Sequence, residues 1–238
     1  MNLIADLHVH TVASGHAFST LQENVASAKS KGLEILGVSD HGPCVAGAPS
    51  FHYFRTLRFI PRYLEGVMIL RGAEANIISA DGKIDIPEHC LERLDYTMAG
   101  FHSVEEYQDN DIDVNTRAMI KVMDNPYVKI ITHPGNPKYP VHYEEVVKAA
   151  KEKNVALEIN NASFVLTRHG SRKNCTEIAR LIAKYDANII IGSDAHISYD
   201  IMTFDAALKV VEDTSIKEEN VINSNKERLF EFLELDIK

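Results

Sequence analysis

Short apolar runs alternate with amphipathic stretches along the whole chain. Runs of mainly aliphatic residues predict buried strands, whereas apolar residues spaced three or four positions apart predict helices. The predicted strands have the sequences LIADLHV, EILGVSD, VMILRGAEANI, YTMAGFH, VKIITH, VALEINN and NIIIGSD. Strands that alternate with helices favour parallel β/α units, because parallel strands need a crossover connection.

Amphipathic stretches separate these strands. In STLQENVASAKSKG, Thr20 and Glu23 have capping-box spacing, and Gly32 supplies a stop. The other predicted helices lie around residues 53–64 and at PEHCLERL, VNTRAMIKVMDN, YEEVVKAAKEKN, CTEIARLIAKYD, FDAALKVVED and NKERLFEFL. About seven β/α units fit a closed α/β barrel better than an open sheet, and barrels of this length are commonly single domains.

Composition narrows the class of protein. The mixture of 45% hydrophobic and 25% charged residues is typical of globular chains. The net charge of −9 disfavours nucleic acid as a partner, because that affinity rests largely on lysine and arginine. We expect no membrane partner and no signal peptide, since the apolar runs are too short. Cys44, Cys90 and Cys175 are scattered and odd in number, which favours a reducing, cytoplasmic location.

Residue types that bind metals end almost every predicted strand. They are His8 and His10, Asp40 and His41, Glu74, His102, His133, and Asp194 and His196, with His16 in the first loop. A lone histidine at a strand end is usually a structural residue. Six of the seven predicted strands end in such residues, and a separate structural role for each explains this pattern poorly. In a parallel barrel these ends meet at one mouth, so we predict a metal site there.

The ligand types indicate which metals would bind. Imidazole and carboxylate suit zinc, manganese or iron, and the lack of cysteine argues against a closed structural zinc site. A catalytic zinc takes about three protein ligands plus water. The candidates can therefore serve two or three ions, with a carboxylate free to bridge. The candidate ligands are His8, His10, His16, His41, Glu74, His102, His133, Asp194 and His196.

The motifs DLHVHT, SDHG, GAEAN, GFH, THPGNP, EINN and GSDAH resemble those of the PHP (polymerase and histidinol phosphatase) family of metal-dependent phosphoesterases. They run from residue 6 to residue 196, and DHGP and HPGNPKYP look most like the YcdX-type stand-alone phosphatases. The resemblance implies a single PHP domain over residues 1–238 and a distorted seven-stranded (β/α) barrel of the TIM type. His142 departs from the aspartate of this branch, which puts a helix cap in doubt and leaves the chemistry unaffected.

The resemblance also implies three divalent ions, usually zinc, and assigns their ligands. One ion takes His8, His10, Glu74 and Asp194, a second takes Glu74, His102 and His133, and the third takes His16, His41 and His196. Glu74 would bridge two ions about 3.5–4 Å apart, and a metal-activated hydroxide would attack the phosphorus of a phosphomonoester. The group that protonates the leaving oxygen stays open between a bound water and Asp194.

The segment FVLTRHGSRKN, after the sixth strand, could close over the mouth. Arg168 and Arg172 are candidate catalytic phosphate clamps, because a guanidinium offers a fork to phosphate oxygens. The alternative is two solvated loop arginines. Asp6 and Asp40 precede histidine ligands and could orient them, or could simply bond loop amides.

Several functions are compatible with these features. The first is a small-molecule phosphatase, a hydrolase of phosphoric ester bonds, and the second is a histidinol-phosphate phosphatase on the same barrel. The third is a 3′ nuclease or polymerase-associated domain, which the acidic charge disfavours. The fourth is an inactive metal-binding protein, which the complete ligand set disfavours. The YcdX-type branch includes ring-like trimers, so a homotrimer is an expectation.

Overall fold

Parallel strands alternate with helices in the computed structural model, which describes residues 1–236. The strands are β1 (Ala5–Asp6), β2 (Ile35–Val38), β3 (Tyr63–Leu64), β4 (Val67–Arg71), β5 (Glu74–Asn76), β6 (Thr97–Gly100), β7 (Val128–Ile131), β8 (Ala156–Asn160) and β9 (Ile189–Gly192). The helices are α1 (Leu21–Ser30), α2 (His52–Thr56), α3 (Glu88–Leu91), α4 (Ile112–Val122), α5 (Tyr143–Lys153), α6 (Ala162–Val165), α7 (Ser171–Tyr185), α8 (Asp205–Asp213) and α9 (Lys226–Leu233). Short 3₁₀ helices lie at Val12–Ser14, Leu57–Phe59, Ser198–Asp200, Glu218–Asn220 and Ile222–Ser224.

The strands form two sheets, with the orders β1-β2-β4-β3 and β5-β6-β7-β8-β9. Every neighbouring pair is parallel apart from the β3–β4 hairpin. Isolated parallel bridges, Val9 with Ala195 and His41 with Glu74, link the sheets just beyond β1 and β2. The parallel α/β architecture is therefore confirmed, whereas one closed seven-stranded barrel stays a prediction.

The third predicted strand, VMILRGAEANI, is two strands in the structure. It divides at Gly72 and Ala73, so that β4 belongs to one sheet and β5 to the other. A Cβ atom at Gly72 would lie 2.3 Å from Cζ of Tyr96, so only glycine fits beneath this ring. The continuous apolar run conceals the break, because both halves are buried.

The helix predicted around residues 53–64 is much shorter than expected. The α2 helix ends at Thr56, a 3₁₀ turn follows, and the chain then forms the β3–β4 hairpin. Pro61 explains the stop, because a proline disfavours helical backbone in the residue before it, and Ile60 is extended with a ψ of 124°.

Two helix starts agree with the sequence patterns. Thr20 and Glu23 form a complete capping box at the start of α1. His142 occupies the N-cap position of α5 without a side-chain cap bond, as its departure from aspartate implied. Its ring instead lies 2.8 Å from Oδ1 of Asp113 on α4. The lost cap is therefore replaced by a surface contact between two helices.

A cluster of buried apolar side chains lies between the strands of both sheets and packs against α9. Ile35, Met98, Ile130 and Ile190 belong to it, and Phe232 contributes from α9. Burial of such surface is the main favourable term in folding. Within residues 1–236, no helix combines the length and apolarity that crossing a bilayer requires.

Candidate metal centre

The residues predicted as ligands converge on one cleft beyond the carboxyl ends of the strands. His8 and His10 follow β1, His41 follows β2, Glu74 begins β5, His102 follows β6, His133 follows β7, Asp194 and His196 follow β9, and His16 lies before α1. The cleft holds about 410 Å³ and is lined by His16, His41, Val45, His102, Ser103, Thr167, Arg168, Asp194 and His196. We call His8, His10, Glu74, His102, His133 and Asp194 the deep half of the cluster, and His16, His41 and His196 the outer half.

Glu74 is fully buried at the centre of the deep half. Its Oε1 atom lies 3.2 Å from Nε2 of His8, 3.2 Å from Nε2 of His102 and 3.0 Å from Nε2 of His133. Burial alone would raise the pKa of Glu74, but imidazoles including His8 and His102 outweigh it and hold the pKa well below its usual range. One ionised carboxylate therefore faces three imidazole nitrogens.

The second oxygen of Glu74 extends these contacts towards the outer half. Oε2 lies 2.9 Å from Nδ1 of His41 and 3.5 Å from Nε2 of His10. Oδ1 of Asp194 lies 3.3 Å from the same His10 nitrogen and 3.4 Å from Nε2 of His8. Two carboxylates thus share the space between His8 and His10, the histidines that follow β1.

The outer half is more open to solvent. Nε2 of His16 lies 3.1 Å from Nε2 of His196, and the His16 ring stacks on His41 with centroids 4.9 Å apart. Nδ1 of His196 lies 2.9 Å from the carbonyl oxygen of Asp194. His16 itself is exposed and comes from a loop. This half is therefore the accessible edge of the cluster.

Several buried polar atoms of the cluster have no hydrogen-bond partner within the part of the chain that the structure describes. They are Nε2 of His8, Nε2 of His10, Nδ1 of His41, Oε2 of Glu74 and Oδ1 of Asp194. Each of these atoms lies within 4 Å of at least one other of them, but the pairs lack hydrogen-bond geometry. A buried polar atom without a partner costs about 1–3 kcal/mol, so the cluster needs a further partner in this space.

The spacing of these atoms fits divalent metal ions. Three groups of residues each have ligand atoms that lie within 4.8 Å of one another inside the group. The groups are His10–His41–His196, His8–His10–Asp194 and His41–Glu74–His102. Facing imidazole nitrogens 3.1 Å apart, as in His102 with His133, come close to the roughly 3.3 Å that separates two ligands of one tetrahedral zinc. Imidazole and carboxylate donors are the ligands that such ions prefer.

Glu158 on β8 supports the deep half from behind. Its Oε1 atom lies 2.7 Å from Nδ1 of His8, and its Oε2 atom accepts hydrogen bonds from the backbone N–H of His133 at 2.9 Å and from Nδ2 of Asn160 at 3.1 Å. Glu158 is a functional candidate that the sequence motifs did not single out, although EINN contains it. The available signal was an acidic residue inside the otherwise apolar strand VALEI.

Asp40 supports the histidines on the side of the outer half. It accepts hydrogen bonds from the Thr11 N–H and the Ser14 hydroxyl, each at 2.7 Å. The Ser14 oxygen lies 3.0 Å from Nδ1 of His10 and accepts the backbone N–H of His41 at 3.1 Å. Asp40 therefore makes both kinds of contact considered from the sequence, since it reaches the His10 ring through Ser14 and bonds a loop amide.

Asp6 bonds loop amides rather than a histidine ring. It accepts the N–H of Ser193 at 3.2 Å and the N–H of Met202 at 3.0 Å. Burial raises the pKa of Asp6 to about 6 despite these hydrogen bonds. This carboxylate ties β1 to the segment after β9 and contacts neither of the neighbouring histidine rings among the described residues.

The two candidate arginines differ in position. Nη1 of Arg168 donates to Oδ2 of Asp194 at 3.0 Å, and the side chain lines the cleft. Nη2 of Arg172 instead donates to the carbonyl oxygen of Phe164 at 3.0 Å, and this exposed side chain is not part of the cleft wall. The structure therefore brings Arg168 to the cluster and directs Arg172 to the backbone of α6.

Comparison with known proteins assigns this chain to a protein family. The PHP domain family model matches residues 6–162. A probable phosphatase of Caldanaerobacter subterraneus subsp. tengcongensis is 45% identical over 98% of this chain and 92% of its own. A probable phosphatase of Thermoanaerobacter sp. (strain X514) is 45% identical over 98% of this chain and 95% of its own.

One solved structure has a similar fold. The histidinol phosphate phosphatase of Lactococcus lactis subsp. lactis, determined with zinc, L-histidinol and phosphate, aligns with a TM-score of 0.61. The alignment covers 90% of this chain and 94% of that chain, at 14% identity. The family match and the relatives confirm the resemblance seen in the sequence motifs. This chain belongs to the PHP domain family.

Proposed function

We propose that this protein is a metal-dependent phosphatase that hydrolyses a small phosphomonoester at a site for three divalent ions. The observation that carries the proposal is the group of buried, unpartnered imidazole and carboxylate atoms around Glu74. The names of its relatives as probable phosphatases support the activity. The zinc in the Lactococcus lactis structure supports zinc as the first choice, with manganese or iron as alternatives.

We assign the ligands as the family motifs imply. His8, His10, Glu74 and Asp194 would hold one ion, Glu74, His102 and His133 a second, and His16, His41 and His196 a third. The contacts of both Glu74 oxygens support its role as the shared ligand of the two deep ions. When bound, such ions supply an activated water as nucleophile and offset charge on the phosphoryl oxygens.

The charges of two side chains of the cleft, Arg168 and Asp194, favour a different role for each. Only Nη1 of Arg168 is engaged by other residues of the described chain, which leaves the rest of its fork for phosphate oxygens. Burial would raise the pKa of Asp194, but His8 and Arg168 outweigh burial and hold the pKa well below its usual range. An ionised Asp194 favours a role as ligand over a role as proton donor to the leaving group.

We also infer that the two sheets are parts of one distorted barrel and that residues 1–238 form one domain. The bridges of Val9 with Ala195 and of His41 with Glu74 support this, because they join the sheets at both ends. With β4 and β5 taken as one interrupted strand and β3 as an addition, seven strands remain. Residues 237–238 lie outside the described part. The homotrimer and the cytoplasmic location stay predictions.

A narrower candidate is a histidinol-phosphate phosphatase. The observation that favours it is the fold similarity to the Lactococcus lactis enzyme bound to L-histidinol and phosphate. The identity of 14% leaves the substrate open, because side chains at the mouth decide specificity.

Phosphatase assays with the purified protein test both candidates. We expect hydrolysis of an aryl phosphate that a chelator abolishes and that added zinc or manganese restores. Histidinol phosphate turned over with a much higher kcat/KM than other phosphomonoesters would select the narrower candidate. Cleavage of single-stranded DNA without phosphatase activity would contradict the proposal and favour a nuclease.

A further inference from the structure

We propose that Glu158 is a positioning residue that couples the two deep ion sites of the centre. The inference rests on the proposed metal centre and goes beyond it. The buried Glu158 carboxylate lies behind the ligands, and its contacts are with atoms that face away from the ions. It holds His8, a ligand assigned to one deep ion, and His133, a ligand assigned to the other.

The contact with His8 decides which of its two ring nitrogens can bind an ion. Oε1 of Glu158 lies 2.7 Å from Nδ1 of His8, and both side chains are inaccessible to solvent. Nδ1 is therefore the His8 ring nitrogen that faces an acceptor oxygen and is placed to donate a hydrogen bond. The lone pair of Nε2 then faces Glu74 and Asp194, where an ion would bind.

The contact with His133 holds the backbone in an uncommon conformation. The φ angle of His133 is 31°, in the left-handed region that residues other than glycine rarely adopt. The His133 N–H donates to Oε2 of Glu158 at 2.9 Å across the β7–β8 pair. This bond orients the His133 ring towards Glu74 from a position that the strand alone would not give.

The chemistry of the contact requires a carboxylate. The donors on Nδ1 of His8, the backbone nitrogen of His133 and Nδ2 of Asn160 all converge on the two oxygens of Glu158. A glutamine offers one oxygen and one NH₂ group, so at least one of these donors would face another donor. Glu158→Gln therefore disturbs the support without removing a metal ligand and with little change in volume.

The absence of a side chain at Gly192 leaves room for the Glu158 carboxylate. A Cβ atom at Gly192 on β9 would lie 2.2 Å from Oε1 of Glu158 and 3.0 Å from Cβ of His8. Gly192→Ala would push the carboxylate away from His8 while every polar group of the centre is kept. It is thus a second way to displace Glu158, with the closest contact on the carboxylate and a weaker one on His8.

Asp95→Asn is a matched control. Asp95 is also a largely buried carboxylate with several donors, because it accepts two bonds from Arg62 and the N–H of Arg71. It touches no histidine among the described residues. Its variant is expected to lower stability and to leave ion binding unchanged.

The test measures ion content and affinity. Wild type, Glu158→Gln, Gly192→Ala and Asp95→Asn are loaded with zinc and titrated against a chromophoric chelator, and cobalt-loaded samples are compared by visible absorption. Loss of a group that orients a metal-bound histidine typically weakens affinity about 10–100-fold. We expect that weakening for both deep ions in Glu158→Gln and Gly192→Ala, together with a changed cobalt spectrum. The outer ion and Asp95→Asn should match wild type.

Three results would overturn the inference. They are wild-type affinity for all ions in Glu158→Gln, weakening of one deep ion alone, and an equal loss in Asp95→Asn. Each of these results presupposes a wild type that binds its ions. A wild type that binds none would instead contradict the proposed metal centre itself, so the two failures are distinguishable.

Discussion

The deep and outer halves of the cluster are built from similar ligands but are held differently. In the deep half, the buried His8 and His133 lie against the Glu158 carboxylate. In the outer half, His16 is exposed on a loop, and among residues 1–236 its ring nitrogens contact a histidine, His196, and no carboxylate. Rigid, buried ligands lose little freedom when an ion binds, whereas a loop ligand must be ordered. We therefore expect two tightly held ions and one that exchanges.

The largest effect should come from the residue that both deep ions share. Glu74→Gln removes the charge that faces three imidazoles, so we expect kcat/KM to fall by more than about 10³-fold and the deep ions to be lost together. Kinetics with an aryl phosphate and metal analysis of the dialysed protein measure both effects. His142→Ala is the control, because His142 lies at the surface beside Asp113. Equal losses in the two variants would contradict the bridging role.

An intermediate effect is expected in the outer half. His16→Ala removes one of three assigned ligands of the exchangeable ion, so its affinity should fall about 100-fold while the deep ions stay bound. Stepwise chelator titration of variant and wild type separates the sites. Simultaneous loss of all three ions would show that the two halves are not independent and would remove the distinction drawn here.

A smaller effect is expected at the mouth. Arg168→Ala removes a charge-assisted contact to phosphate, which is worth about 1.5–3 kcal/mol or roughly 10–100-fold in kcat/KM. Ion content should fall far less than in Glu74→Gln, because Arg168 contacts only one assigned ligand, Asp194. Arg172→Ala is the matched control, because that side chain binds the Phe164 carbonyl away from the cleft. If Arg172→Ala were the more damaging variant, the loop would have to rearrange when substrate binds.

The smallest effect concerns the support of the His16 loop. Thr20→Ala removes the capping box of α1, which should lower the free energy of unfolding by about 1 kcal/mol. Asn225→Ala removes a comparable cap from α9, far along the chain from the His16 loop. Both variants should lose similar stability in urea unfolding. We expect a weaker outer ion only in Thr20→Ala, and an equal effect in both variants would show that the α1 cap does not anchor this loop.

The positions of most candidate ligands could be predicted from the sequence, because these residues follow strands that are recognisable by their apolar runs. The structure brings His8, His41, His102 and His133 to one rim, as the parallel topology predicts, and their role as metal ligands stays a prediction. Ligand types and strand ends are local features, and a single chain displays them directly.

Features that depend on packing between distant segments could not be predicted. Glu158 supports His8 from 150 positions away, and no local pattern links the two residues. The division of β4 from β5 follows from the Tyr96 ring above Gly72. The choice between Arg168 and Arg172 depends on how the loop folds over α6, which their shared charge and spacing do not reveal.

The most direct test of the central claim is a crystal structure of the zinc-loaded protein with diffraction data on both sides of the zinc edge. We predict three anomalous peaks inside the histidine cluster. Two of them should flank the Glu74 carboxylate, and the third should lie between His16, His41 and His196. Imidazoles dispersed over the surface, or a cluster without anomalous peaks under zinc-replete conditions, would contradict it.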